Sequence, residues 1–317
     1  MALKITALAG GTGGAKLVDG MTTLMDPDLL TLVVNTGDDF EHLGLAISPD
    51  LDTVTYTLAG LANPQSGWGR TDETWNFLQT LKEFGSPIWF RLGDRDLALH
   101  VERTRRMKAG QPLSEVTRAF CRIFGVDHLI LPMTDDPVRT IVETEEGNLP
   151  FQEYFVKYSH EPQVRGFRFE GIEHAEPAPG FLSAIEDSDA VVLCPSNPWV
   201  SIDPILAIKG VREVLEGKVV VSVSPIIGGQ AVRGPAAKMF AAMGIEPSAC
   251  AVAEHYKQIL SGTLIDEIDA ELAPEIEALG IRARVTQTLM KTQPDRKRLA
   301  EEVLAFTAEL VEAESRR

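Results

Sequence analysis

Four glycines in five positions, Gly10-Gly11-Thr12-Gly13-Gly14, followed by Ala15-Lys16, make the segment of this chain best suited to hold phosphate. Glycine lets the backbone turn tightly and approach a ligand with no Cβ in the way. A helix start just beyond it offers N–H groups without intrahelical partners at a positive dipole end. Thr12 adds a hydroxyl donor and Lys16 a cation. The segment is not a Walker loop, because the Gly-Lys-Ser/Thr ending is missing. It is not a clean dinucleotide fingerprint either, because Lys16 stands where the last glycine belongs. A purely structural tight turn is the competing reading. Its place directly after the first strand-like run favours phosphate.

A second run, Asn35-Thr36-Gly37-Asp38-Asp39, is followed by Ser48-Pro49-Asp50-Leu51-Asp52. Four aspartates beside an anion-binding loop are costly unless a cation lies among them. A hard divalent ion such as Mg²⁺ would bridge carboxylates and phosphate oxygens. At least one pair of the four is a candidate ligand set, and helix capping, by Asp38 or Asp39 and by Asp50 or Asp52, is the alternative for two of them. Further on, Arg91-Leu92-Gly93-Asp94-Arg95-Asp96 follows Trp68 and Trp75. Either it forms a solvated salt-bridge face, or Arg91 presents a planar donor fork to an anionic or heteroaromatic substrate. The two tryptophans are expected in the core, with a stacking platform for the substrate as the alternative. Ser196 and Asn197, in Pro195-Ser196-Asn197-Pro198, and the run Ser224-Pro225-Ile226-Ile227-Gly228 stand where apolar runs end, and suit the same cleft.

Other chemistries find less support. The histidines show neither metal nor triad spacing, and no GxSxG elbow is present. Catalysis by phosphate and metal electrostatics fits better than acyl hydrolysis. Cys121, Cys194 and Cys250 lack zinc spacing, and Cys194, inside an apolar run, is expected to be a small core residue.

The elements that must position these groups are legible as alternating patterns. Continuous apolar runs at 3–8, 30–34, 128–131, 190–194, 219–223 and 249–253 predict strands buried on both faces. Helices are predicted over 17–24, 113–124, 204–215, 234–243 and 295–312. The alternation predicts an α/β fold with a doubly wound, mainly parallel sheet, carried by residues 1–317 as one domain. Residues 139–172 break the rhythm and predict a small β-rich insertion. Two readings of it stand open: a surface excursion, or a lid or dimer contact. With 317 residues, 44% of them apolar and 24% charged, the chain is ordinary globular material. Its net charge of −16 disfavours nucleic acid and anionic membranes as partners. No apolar run approaches the roughly 20 residues of a membrane span, and the first residues do not resemble a signal peptide. A cytoplasmic location is expected.

Taken together, these residues resemble the 2-phospho-L-lactate transferase (CofD-like) family of deazaflavin coenzyme F-420 biosynthesis. The resemblance covers nearly the whole chain. It rests on Gly10–Lys16, Asn35–Asp39, Ser48–Leu58, Leu92–Asp96, Pro195–Ile205, Val223–Gly228 and an ending, Thr286–Thr292, similar to the family's C-terminal strand and loop. It implies a Rossmann-like core, a homodimer and dependence on Mg²⁺. It also implies a guanosine diphosphate-linked donor of phospholactate, phosphoenolpyruvate or 3-phosphoglycerate. The acceptor would be the deazaflavin Fo, whose ribityl hydroxyl attacks phosphorus as GMP leaves. By this similarity Asp52 and Arg91 contact Fo, with Asp52 also catalytic. Gly11, Thr12, Gly13, Gly14 and Lys16, with Ser196 and Asn197, hold the nucleotide diphosphate, and Lys16 stabilises the leaving GMP. Asp38 and Asp39 as metal ligands follow from the charge argument, helped by the family pattern. The rival reading is a non-enzymatic UDP-sugar-binding regulator of the YvcK-like type. The Pro49–Thr53 run and Gly93–Asp96 depart from that group. A nicotinamide dehydrogenase is disfavoured by the imperfect glycine fingerprint and the crowded carboxylates.

Overall fold

Seven strands run parallel through the centre of the computed structural model, which describes residues 3–232 and 234–316. They are β1 (Ile5–Ala9), β2 (Leu30–Val34), β3 (Leu129–Pro132), β4 (Ala190–Leu193), β5 (Val219–Val223), β6 (Gly262–Ile265) and β7 (Arg282–Val285). Their spatial order is β7-β6-β5-β4-β1-β2-β3, with every neighbouring pair parallel. The chain builds outward from β1 through β2 to β3, then returns to the other side of β1 and continues outward again. This is the Rossmann-like order, and it places the reversal between β1 and β4.

The continuous apolar character of these strands has a direct cause. Successive side chains of a strand point to opposite faces. Ile5, Ala7 and Ala9 enter one core with Leu30, Leu32 and Val34, beneath Leu17 of helix Gly11–Thr22 and Leu299 and Phe306 of helix Gln293–Ser315. Leu8, Val33, Val191 and Leu193 enter the other, with Phe181, Ile205 and Phe240. Neither face can be polar, so no alternation survives in the sequence.

Several elements differ from their sequence-based expectation. Residues 249–253 form not a strand but the start of helix Ala249–His255, whose N-cap Ser248 accepts a hydrogen bond from the Ala251 N–H. A short apolar run has no period that separates buried strand from buried helix, so what packs around it decides, and the serine cap then satisfies the helix start. The strand next to β5 is instead β6, and β7 is the half-exposed edge beyond it. The expected helix over 204–215 is two, Asp203–Leu206 and Val211–Leu215, parted by Gly210 in the left-handed region at φ 85°. The glycine-rich segment is itself helical, because helix Gly11–Thr22 begins within it rather than at residue 17. The 286–292 run follows the last strand as a loop, and the strand lies just before it.

The insertion is a three-stranded antiparallel sheet of Gly147–Pro150, Arg139–Thr144 and Val164–Glu170, with a π-helical turn at Glu153–Lys157. Val142, Phe151, Tyr154 and Val164 form a small core of their own, which Val200 and Met239 join to the main body. Among the described residues, no helix is long and apolar enough to cross a membrane.

Candidate active site

Loops leaving β1 and β4 diverge where the strand order reverses, and this opens a crevice beyond the carboxyl ends of the strands. A cleft of about 660 Å³ occupies that place. Gly10–Gly13 and Lys16 line it after β1, Asp38, Asp50 and Asp52 after β2, and Pro195, Ser196 and Asn197 after β4. Ser224, Pro225 and Ile227 after β5, and Thr288–Met290 after β7, complete that end. Phe151, Gln152 and Phe155 of the insertion form part of its wall, so the insertion is not a remote surface excursion.

The glycine-rich end is built by close approach of two loops. Gly11 begins its helix at φ 59°, and a Cβ on Gly13 would lie 2.1 Å from the carbonyl oxygen of Pro195. The Ser196 hydroxyl pins the same two loops. It accepts from the Gly10 N–H at 3.2 Å and donates to the Gly10 carbonyl at 2.7 Å. The Asn197 side chain accepts from the Trp199 N–H, and its amide faces the Met239 sulfur. Lys16 donates from Nζ to the Met290 carbonyl at 3.0 Å, which draws the loop after β7 over the helix start. The N–H groups of a helix start can receive an anion, and here that of Gly11 is directed to the Asp50 carboxylate.

Beside it the carboxylates crowd. Asn35, fully buried, donates to Asp50 Oδ2 at 3.0 Å and to the Val200 carbonyl at 3.1 Å, while its own oxygen accepts from the Gly37 N–H. Asp39 Oδ2 accepts from the Ser48 hydroxyl at 2.7 Å. Among the described residues, Asp38 Oδ1 and Asp39 Oδ1 have no hydrogen-bond partner. Burial, with the charge of Asp50 next, drives the Asp38 carboxyl well above its usual value. Burial pushes Asp39 up to about 7 against the hydrogen bond from Ser48, and pushes Asp50 up to about 6 against that from Asn35. Capping accounts for one of the four aspartates, because Asp50 also accepts from the Gly11 N–H at the start of helix Gly11–Thr22. Ser48 holds the N-cap of helix Pro49–Leu58, and Asp50 and Asp52 lie inside its first turn.

Among the described residues, no group of three His, Cys, Asp or Glu side chains forms a complete protein cage for a metal ion. Mg²⁺ characteristically takes one or two carboxylates and completes its shell with water and substrate phosphate. Two unpaired, buried carboxylate oxygens, one of them on a cleft-lining residue, fit that pattern. Asp38 stands on the cleft wall and Asp39 behind it. These pKa shifts also give a testable pH dependence. A buried carboxylate whose folded pKa exceeds its unfolded one favours the folded state when protonated. That contribution is full below the usual 3.8 and is lost as pH rises through about 6 for Asp50 and about 7 for Asp39. The metal-free protein is therefore expected to melt lower at pH 8 than at pH 6, and Mg²⁺ to raise the melting temperature more at pH 8. Calorimetry showing no pH dependence across that window would contradict this account.

Further along the cleft wall stands Asp52, held by Arg103. The guanidinium engages both carboxylate oxygens, with Nη1 3.0 Å from Oδ2 and Nη2 close against Oδ1. His100 and Asp96 continue inward, and the Tyr56 hydroxyl donates to Asp96 at 2.8 Å. Burial alone would raise Asp96, but the contact with His100 and the Tyr56 hydrogen bond hold it below its usual value. The Arg91 guanidinium lies over the Trp75 ring, 4.6 Å from its centroid, and Arg91 and Trp68 both line the cleft. Contrary to expectation neither tryptophan is in the core: Trp68 is 52% exposed at the cleft and Trp75 is half-buried beneath Arg91. Trp89 and Phe90 add aromatic surface, braced by Phe40 and His42. Sequence reasoning missed Arg103, His100, Trp89 and Phe90. The available signal was the spacing of Asp96, His100 and Arg103, which sets three polar groups on one face of helix Asp94–Lys108. The three cysteines are buried thiols, and burial raises Cys194, as its core reading requires.

Comparison with known proteins adds an independent line. The profile of the family described as 2-phospho-L-lactate transferase CofD matches residues 5–310. A phosphoenolpyruvate transferase of Streptomyces griseus is 44% identical over 316 residues, covering 97% of this chain and 99% of that one. A 2-phospho-L-lactate transferase of Methanopyrus kandleri is 43% identical over 315 residues, covering 98% of this chain and 100% of that one. Among solved structures, a UPF0052 family protein of Bacillus halodurans superposes with a TM-score of 0.62 at 15% identity, covering 96% of this chain and 99% of that one. That likeness concerns the fold alone. The sheet order, the cleft at its reversal point and the family match over almost the entire chain converge on one assignment: this chain belongs to the 2-phospho-L-lactate transferase family and is a transferase.

Proposed function

We propose that this chain transfers a phospholactyl-type group from a guanosine diphosphate-linked donor to the deazaflavin Fo, releasing GMP, in coenzyme F-420 biosynthesis. The observation that carries the reading is the two-ended cleft. One end is a helix start pressed against a second backbone loop, suited to a diphosphate. The other is an aromatic and arginine-lined wall suited to a flat heteroaromatic acceptor, and Asp52 stands on the wall between. A regulator that only binds a nucleotide sugar is not favoured by the transferase family match or the transferase relatives.

In this mechanism the helix start at Gly11–Gly14 and Lys16 hold the diphosphate, with Ser196 and Asn197 fixing the loop against which it rests. Asp52 receives the hydrogen of the acceptor's hydroxyl and aligns its oxygen on the phosphorus that bears the three-carbon acid. The new oxygen–phosphorus bond forms as the bond to the GMP oxygen breaks, and the hydroxyl proton passes to Asp52. Such a transfer needs alignment and charge neutralisation more than a strong base. Asp38 and Asp39 would hold Mg²⁺, which when bound neutralises phosphate charge and polarises the phosphoryl oxygens. We place the enzyme in the cytoplasm as a homodimer.

The direct test is titration of the protein with Fo, followed by its fluorescence, with and without GDP and Mg²⁺. Saturable binding is expected, and Arg91→Ala is expected to weaken it roughly tenfold, the loss of a partly desolvated guanidinium contact. No binding of Fo under any condition, alongside tight binding of a UDP-sugar, would overturn the reading in favour of the regulator.

A further inference from the structure

Beside Asp52 on the cleft wall, Tyr56, Asp96 and His100 form with the buried Arg103 a polar chain that the reaction as described does not use. Arg103 is 3% exposed and His100 2% exposed, both on helix Asp94–Lys108. Arginine has no acceptor, so where Arg103 Nη1 stands 3.1 Å from His100 Nδ1, the imidazole nitrogen must accept. That leaves the ring's proton on Nε2, which faces Asp96 Oδ2 at 3.3 Å. The Tyr56 hydroxyl closes the chain by donating to Asp96 Oδ1. The contacts run in sequence: Tyr56 holds Asp96, His100 Nε2 faces Asp96 without a hydrogen bond of good geometry, His100 Nδ1 accepts from the guanidinium, and the guanidinium holds both oxygens of Asp52.

Stability alone gives a poor reason for this arrangement. A buried ion pair can often be replaced by packed apolar residues at little or no loss, because desolvating two charges offsets their attraction. The fork geometry is also more than charge neutralisation requires. A lysine would supply the charge as a point, whereas the planar guanidinium fixes the rotation of the carboxylate as well as its position. One Asp52 oxygen can then accept from an acceptor hydroxyl only along a direction the helix dictates.

We propose that Arg103, oriented by His100, is the positioning residue for Asp52, and that it sets the angle at which the acceptor hydroxyl meets phosphorus. This rests on the reading that Asp52 contacts the acceptor. Misalignment of reacting groups by about an ångström costs on the order of 100-fold in rate. Arg103→Lys is therefore expected to lower kcat roughly 10- to 100-fold while leaving the affinity for GDP unchanged. His100→Leu, which removes one of the two acceptors of Nη1 and leaves Asp52 Oδ2 as the other, is expected to lower kcat in the same direction. His100→Asn, whose side-chain oxygen can replace Nδ1 as acceptor, is expected to recover most of the rate.

The deciding measurement is a double-mutant cycle on kcat. Neither Arg103→Lys nor His100→Leu should reduce the residual rate further in an Asp52→Asn background. A further loss there as large as in the wild-type background, a parallel fall in GDP affinity, or wild-type kcat in both single variants would overturn the proposal. If Arg103→Lys does not fold, the two His100 variants carry the test alone. Wild-type turnover in Asp52→Asn itself would instead sink the acceptor-site reading, so the two failures are distinguishable.

Discussion

Replacing Asp52 with Asn is expected to lower turnover by about two to three orders of magnitude while leaving GDP affinity nearly unchanged. Removing a positioned group that meets a proton in flight typically costs 10²- to 10⁴-fold. Asp52 lies inside the first turn of helix Pro49–Leu58, and it is Asp50 of that turn, not Asp52, that touches the glycine-rich segment. Asparagine keeps the shape and one oxygen acceptor for Arg103, but its NH2 cannot accept the second guanidinium bond, so the melting temperature is measured beside turnover. Alanine would leave the Arg103 guanidinium buried without its partner, a loss of about 3–5 kcal/mol for such pairs, and would mix folding with catalysis. Steady-state turnover with the guanosine diphosphate-linked donor and Fo, beside calorimetric titration with GDP, separates the two effects. Turnover equal to the wild type would remove Asp52 from the reaction.

The second large effect is expected from a single methyl group. In Gly13→Ala the new Cβ would stand 2.1 Å from the Pro195 carbonyl oxygen, where ordinary contact needs well over 3 Å. Both groups are main chain, so no side chain can rotate away. The helix start and the loop after β4 must part, and the Ser196 hydroxyl that pins Gly10 from that loop must give up at least one of its two hydrogen bonds. Affinity for GDP is expected to fall 10- to 100-fold, because the N–H groups no longer converge on one anion. Overpacking of this kind costs about 1–3 kcal/mol, so the melting temperature should also drop by several degrees. A variant with wild-type GDP affinity and stability would show that the two loops are free to separate, and the phosphate seat would need to lie elsewhere.

Both expectations depend on contacts between segments far apart in the chain, and this marks the boundary of what was legible. Gly10–Gly14 pointed to close backbone approach through residue type alone, but the partner of that approach, Pro195, became visible only in three dimensions. Asp52 was identifiable from its run, whereas Arg103, 51 residues away, was not. In sequence Arg103 is one of several charges in a basic, amphipathic helix, and only the packing of helix Asp94–Lys108 turns it inward. The aromatic wall was hidden similarly. Trp68 and Trp75 have the composition of core residues, and whether a large ring is covered depends on what packs against it.

By itself, the sequence determined the elements whose signal is local. Leu30–Val34 and Val219–Val223 are strands at the expected bounds because their β-branched apolar runs lie between two cores. Helix Leu113–Phe124 likewise stands where its apolar period and the following Gly125 put it. The glycine-rich turn, the run of carboxylates after β2 and the family to which the chain belongs were also legible, since each is carried by contiguous residues. The tertiary structure alone decided that Ala249–His255 is a helix and that β6 and β7 complete the sheet, because a short apolar run takes its conformation from what covers it. It also decided the burial that raises Asp38, Asp39 and Asp50, and the bidentate hold of Arg103 on Asp52. Desolvation and hydrogen-bond direction are properties of an environment assembled from distant segments, and no single segment contains them.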